Sequence, residues 1–425
     1  MRCTNPDTLP DGYRMTELGP LPEEWQVVRL GEVGKVITGR TPPTSQARFW
    51  NGHIPFITPV DLQGKPIRHS ERSITEEGLQ HAKPLPRGAV LVSCIGYIGK
   101  IGIVEAELAT TNQQINAVIP FGCDNWFLAY ALMHETDVLR SRARMTTVPI
   151  LHKSNFENIP IPFPPLTEQR AIAHVLRTVQ AAKEAGERVV EALRALKKSL
   201  MRHLFTYGPV PIDAAEHVPL RDTELGPLPA HWQVVRLGEV AEVKYGRAKP
   251  KAEGEIPVIG SGGIYGWADA PLVEFPTLVI GRKGTAGQVW LVEQACWPSD
   301  TTYYLIWKKP VDVWFVFGFV SLNPLSGEHA RTTLPSLKRH DLENYLIPLP
   351  PLPEQREIAR MLQAVDQRIQ AEEAHVHALE ALFRTLLHEL MTARRRLPAE
   401  FIAKFASHGD QTLRAATPTI EERSL

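Results

Sequence analysis

Two hydrophobic rhythms divide the chain. From about residue 25 to 160, short apolar runs are punctuated by Gly and Pro, the rhythm of strands and turns. Trp25 to Leu30 alternates, Ala89 to Ser93 is a β-branched run, and Ile115 to Ile119 is a further strand. Residues 125–139 carry apolar side chains at helical spacing and predict a helix. The order recurs later. Val258-Ile259 leads into a Gly260-Ser261-Gly262-Gly263 turn, Leu278–Ile280 and Thr302–Trp307 read as strands, and residues 313–322 as a helix ended at Asn323-Pro324.

The second rhythm is longer. After Pro162, Pro164 and Pro165 the apolar positions Ile172, Leu176, Val179, Val190, Leu193, Leu196, Leu200 and Leu204 are spaced by sums of threes and fours. Ile358, Leu362, Val365, Ile369, Val376, Leu379, Leu382, Leu386 and Leu390 repeat the stripe. Thr167 is placed to cap the first of these helices, with Glu168 suiting its dipole. Helices of about 36 to 38 residues would reach roughly 55 Å, so part of each should stand free of its module. Their stripes should bury each other as an antiparallel coiled coil.

The chain repeats itself. TELGPLPEEWQVVRLGEV (16–33) returns as TELGPLPAHWQVVRLGEV (223–240), with sixteen of eighteen positions identical. PIPFPPLTEQRAIAHVL (160–176) returns as LIPLPPLPEQREIARML (346–362). Between these anchors Gly96 and Gly99 align with Gly284 and Gly287, and Thr111-Asn112-Gln113-Gln114 with Ser299-Asp300-Thr301-Thr302. The ends of the unit are nearly constant while its middle differs. Two related modules on one frame, recognising two different things, account for that pattern. The expected fold is α+β: two mixed α/β modules joined and separated by two long antiparallel helices. The expected segments are 1–166 and 207–353 for the modules, 167–206 and 354–396 for the helices, and 397–425 for a tail holding a short helix near 398–407.

Composition narrows the function. Net charge is zero over 425 residues, with 47 basic and 47 acidic side chains. That opposes a simple electrostatic grip on nucleic acid, which needs a basic footprint. Only 167–206 is clearly basic, with 8 basic against 4 acidic residues. No apolar run spans a membrane and no signal pattern opens the chain, so the cytoplasm is the expected compartment. The four Cys form no C-x-x-C pair, which argues against a zinc site or disulfide framework. No G-x-x-x-x-G-K-[ST], G-x-G-x-x-G after a strand, H-E-x-x-H or nucleophile–base constellation is present. The expected protein binds and organises rather than catalyses.

The stretches 21–43, 49–62, 110–118, 161–176, 260–267 and 347–362 together resemble the DNA-specificity subunit of type I restriction–modification systems. The PPL-x-EQ-x-x-IA segment that opens a long helix, present twice, is the most specific of these signals. The likeness spans about 15–395. It implies two target-recognition domains, each reading one half of a split double-stranded DNA site. It also implies helices that set the unread gap and dock two adenine-methylating subunits, to which ATP-driven restriction subunits attach. S-adenosylmethionine, ATP and magnesium then belong to those partners, and this chain carries no cofactor or metal and spans no membrane.

On this reading the candidate DNA contacts are basic and amide side chains at equivalent places in the two modules. In the first they are Arg40, Lys100, Gln113, Gln114, Arg140, Arg142, Arg144 and Lys153. In the second they are Arg247, Lys249, Lys251, Arg282, Lys283, Thr301, Thr302, Arg331, Lys338 and Arg339. Gln113 and Gln114 against Thr301 and Thr302 are the expected base readers, because they differ. Tyr265, Trp267 and Trp290 read as core or turn residues. Two rival readings are a two-module protein-interaction scaffold without DNA reading, and a methyltransferase or nuclease active in this chain alone.

Overall fold

The computed structural model describes residues 9–144, 147–325 and 336–406. Contacts divide the chain into two compact units, 1–184 with 377–425, and 185–376. Each unit is α+β and takes one end of each long helix.

In the first unit, β1 (Gln26–Arg29) leads through the single turn α1 (Leu30–Val33) into β2 (Gly34–Thr38). The other main strands are β3 (Trp50–Ile57), β4 (Val90–Ser93), β5 (Ile101–Val104), β6 (Leu108–Thr111) and β7 (Ile115–Pro120). One sheet has the order β2-β7-β4-β5, ending on Pro66–Ile67. A second pairs β3 with Arg72–Ile74 and β6. Val90, Val92, Ile103 and Val118 bury one sheet face beneath α2 (Asn125–His134), which contributes Leu128 and Leu132. Then α3 (Lys153–Glu157) leads to β8 (Pro160–Phe163), which pairs antiparallel with β1 and so brings the two constant segments together.

The helix expected over 125–139 breaks at Glu135 and resumes as Thr136–Ser141. The Thr136 hydroxyl donates to the Met133 carbonyl at 2.8 Å, an alternative bond that favours a break.

The long helix α4 runs Leu166–Tyr207. It starts one residue before Thr167, which therefore lies in the first turn and not at the cap. The second unit repeats the order: β9 (Gln233–Arg236), α5 (Leu237–Val240), β10 (Ala241–Tyr245), β11 (Ile256–Gly260), β12 (Gly263–Ala268), β13 (Thr277–Gly281), β14 (Val289–Val292) and β15 (Thr302–Trp307). Its sheets are β10-β15-β13-β14 and β12-β11 with Trp297–Pro298. Helix α6 (Val313–Leu322) covers the core, with Asn323 as its C-cap. Then α7 (Arg339–Glu343), β16 (Leu346–Leu349) and the long helix α8 (Leu352–Met391) complete the repeat, and β16 pairs with β9. Beyond α8 a short helix, Ala399–Ala403, lies where one was expected.

Within each unit the long helices run antiparallel. In the first, Ile172 and Leu176 pack with Leu387 and Leu390. Lys183 bonds Glu380, whose carboxyl is held below its usual range chiefly by that bond. In the second, Lys197 donates to both Asp366 oxygens at 2.6 and 2.8 Å, and Arg194 meets Glu373 at 2.6 Å. A Cβ on Gly186 would lie 2.8 Å from Val376, so this glycine admits a close helix crossing.

The repeated PPL-x-EQ segment acts as a lock. Gln169 is fully buried: its Nε2 donates to the Pro164 carbonyl at 2.8 Å and its Oε1 accepts from the Asp124 amide at 2.9 Å. Gln355 does the same with Pro350 and Asp312, at 2.8 and 2.9 Å. Asp124 and Asp312 are the side-chain N-caps of α2 and α6. The neighbouring carboxylates Glu168 and Glu354 accept from the buried indoles of Trp25 and Trp232, both at 2.9 Å. One dipeptide thus ties the long helix to the constant strand segment and to the module's own helix.

Gln355→Leu keeps the volume and strands one donor and one acceptor. Loss of about 2–5 kcal/mol is expected from the urea midpoint. His231→Ala, which removes only the exposed partner of Glu354, should cost under about 1 kcal/mol by the same measurement.

Candidate functional site

In the first unit β2 and β4 end, and β5 and β7 begin, at the same edge of the sheet, because β7 pairs antiparallel with both β2 and β4. The connections there are fixed by main-chain bonds. Gly39 donates to Ile115 at 3.1 Å, Arg40 to Thr111 at 2.9 Å, Cys94 accepts from Leu151 and donates to Gln114, and Gly96 donates to Pro149. A Cβ on Gly39 would lie 2.1 Å from the Asn112 carbonyl, so only glycine lets the Arg40 turn seat against this strand start. Gly96 and Gly99 have φ of 75° and 89°.

The second unit repeats the bonds made by Gly39, Arg40 and Cys94. Gly246 donates to Thr302, Arg247 to Pro298, Arg282 accepts from Leu337 and donates to Thr301, and Gly287 donates to Gly281 as Gly99 does to Ser93. A Cβ on Gly246 would lie 2.0 Å from the Ser299 carbonyl. These bonds correct the register read from sequence by one residue: Gln113 corresponds to Asp300, Gln114 to Thr301, and Ile115 to Thr302. Thr302 is fully buried and its hydroxyl donates to Ser299 at 2.8 Å, so it has no surface to present. Asp300, exposed at the turn, takes its place among the differing residues.

The two turns offer opposite chemistry. Thr41 donates to Gln113 Oε1 at 2.8 Å, and Asn112 Nδ2 to Gln114 Oε1 at 2.9 Å. With both carbonyls engaged, the outward groups are amide N–H donors. In the second unit Ser299 and Thr301 hydroxyls bond each other at 2.7 Å, Thr301 also accepts from Ser261 N, and the Asp300 carboxylate is an acceptor only.

The remaining candidates separate into groups. Arg40, Lys100, Arg144, Arg247, Lys283 and Lys338 lie on or beside these turns. Lys100 donates to the Pro59 carbonyl, and Arg144 and Lys283 form bridges to Ile150 and Ser336. Arg140 buttresses the 94–100 turn by donating to the Ile98 carbonyl, while Arg142 is exposed just beyond. Arg282 is half-buried: it donates to the Asp300 carbonyl at 2.7 Å and its guanidinium lies 5.3 Å from the Tyr245 ring, a strut beneath the turn. Lys249 pairs with Glu253 and Lys251 is exposed in the same loop. Lys153 and Arg339 open the equivalent helices α3 and α7 and pair with Glu157 and Glu343 four residues on. Arg331 lies outside the described residues.

Tyr265 and Trp267, read as core or turn residues, are half-exposed on edge strand β12, at 56% and 50%. Trp290 packs beneath, as expected. Burial pushes the Cys94 thiol up to about 12 and the Cys296 thiol to about 11, so neither is a nucleophile at neutral pH. Burial, then the Tyr245 neighbour, pushes Tyr303 up to about 12. Among the described residues no His, Cys, Asp and Glu cluster could hold a metal. Nor is any described helix long and apolar enough to cross a membrane.

The profile of the type I restriction modification DNA specificity domain matches residues 22–191 and 229–381. The chain belongs to that family. As a specificity subunit with two such domains it is 25% identical over 416 residues to the MjaVIII specificity subunit of Methanocaldococcus jannaschii, covering 89% of this chain and 94% of that one. It is 26% identical over 420 residues to the putative MjaX specificity subunit of the same organism, covering 91% and 97%. The type I S subunit of M. genitalium shares the fold, with a TM-score of 0.63 at 18% identity over 91% of this chain and 99% of that one.

In this specificity subunit, Gly246→Ala should force the Arg247 turn off Ser299 and cost about 1–3 kcal/mol. Gly262→Ala, with nothing within 4 Å of the added carbon, should leave the thermal midpoint within about 1 °C.

Proposed function

We propose that each unit reads one half of a bipartite duplex DNA site through its edge turns, and that the chain itself is non-catalytic. Two main-chain frames that share their turn bonds but carry opposite hydrogen-bonding chemistry support this reading. Gln113 and Gln114 amides suit acceptor-rich edges such as guanine N7 and O6. The Asp300 carboxylate suits the amino groups of cytosine or adenine. The two half-sites therefore differ. The long helices set the unread gap and dock two adenine-methylating subunits, and restriction subunits join through these. S-adenosylmethionine, ATP and magnesium bind on those partners, in the cytoplasm.

Charge balance sets the affinity. With basic and acidic side chains equal in number, the chain as a whole has no net attraction for DNA, so its own grip rests on locally clustered basic side chains or on its partners. The isolated chain should bind its site at least about 100-fold more weakly than the assembled complex in a gel-shift titration, and should transfer no methyl group alone.

Sequencing-based mapping of methylated adenines tests the reading in cells carrying this chain and its neighbouring methylating subunit. A split motif that depends on this chain is the expected result. Gln113→Ala should relax one half and Asp300→Asn the other, each by about 1–3 kcal/mol of base discrimination. No motif would overturn DNA reading in favour of a protein scaffold.

A further inference from the structure

One exposed side chain on the first unit's turns has no counterpart in the second. Tyr97 stands at the tip of the 94–100 turn with 81% of its surface exposed. The backbone beneath it is held from several sides. Ser93 Oγ donates to the Tyr97 carbonyl at 2.5 Å and accepts from Lys100 N at 2.9 Å. Gly96 N donates to Pro149 at 3.0 Å and Gly99 N to Ser93 at 3.0 Å. A Cβ on Gly99 would lie 2.7 Å from the Thr136 methyl, so the turn sits tight on the helix behind it. Lys100 Nζ lies 5.6 Å from the Tyr97 ring centroid and 3.3 Å from the Pro59 carbonyl. The Gln113 carbonyl is 3.8 Å from Cys94 Sγ at the base of the same turn. The shared bonds place Thr285 where Tyr97 stands.

We propose that Tyr97 is an aromatic wedge that meets a nucleobase at an unstacked step of the half-site read by the first unit. The inference rests on the DNA-reading role proposed above. A flat apolar ring on a fixed turn loses little conformational freedom on contact, and apolar wedges of this kind partly unstack and kink duplex DNA. The Lys100 ammonium beside the ring is placed to meet the flanking phosphate. Because Thr285 cannot stack, the kink belongs to one half-site alone.

The test uses the complex assembled with its methylating subunit. The substrate is a duplex carrying the mapped motif, with 2-aminopurine at successive positions other than the methylated adenine. The half-site of the first unit is the one relaxed by Gln113→Ala. The wild type should brighten the probe at one step of that half-site. Tyr97→Ala should abolish the signal and lower affinity roughly 10- to 100-fold with unchanged thermal melting, while Tyr97→Phe stays within about threefold. Thr285→Ala should change neither readout. A split motif methylated normally by the Tyr97→Ala complex, or no brightening anywhere in the half-site, overturns the wedge and leaves DNA reading standing. A wild-type complex with no split motif overturns both.

Discussion

Each unit depends on one buried amide. Gln169 and Gln355 each satisfy a helix-cap backbone N–H and a proline carbonyl with a single side chain, and no shorter or charged residue spans both. The prolines before them end the strand and lend their carbonyls to the first turn of the helix, so the chain is turned and held at once. The adjacent carboxylate adds the constant tryptophan. Two neighbouring residues therefore decide how a module, its entry strand and its long helix meet, and this is why the segment recurs almost unchanged while the middle of each module drifts.

Above that lock the fold separates what holds from what touches. The edge turns of both units are joined by the same backbone hydrogen bonds, from Gly39 and Gly246 through Cys94 and Arg282 to Leu151 and Leu337. The Asn112 side chain in one unit and the Ser299 hydroxyl in the other cap the same local turn by different chemistry, accepting from Gln114 N and Thr301 N. The polar residues between them point outward in both.

Much of this was legible in the sequence. The repeat, the strand runs, the two amphipathic stripes and the glycines of the 94–100 turn all lie where periodicity and identity place them. Side-chain alternation could not fix the register of the divergent middle. Thr111-Asn112-Gln113-Gln114 and Ser299-Asp300-Thr301-Thr302 share too little chemistry, and a one-residue slip exchanged buried Thr302 for exposed Asp300. Thr167 looked like a cap because Ser and Thr usually serve there, but Pro165 already accepts from Glu168 and Gln169 N–H. Tyr265 and Trp267 look like core or turn residues in one dimension; only strand order shows that β12 is an edge.

The main-chain character of the turn bonds has an evolutionary consequence. A substitution at an outward position such as 113 or 300 changes no main-chain donor or acceptor that holds the turn; at 113 it removes only the side-chain bond from Thr41. Such positions can be sampled without drawing on a marginal stability reserve. Innovation is then cheap at the readers and forbidden at Gly39 and Gly246, where a single methyl collides with the strand beneath. Variation should accumulate around two fixed glycines, so that new specificities arise by side-chain exchange on an unaltered backbone.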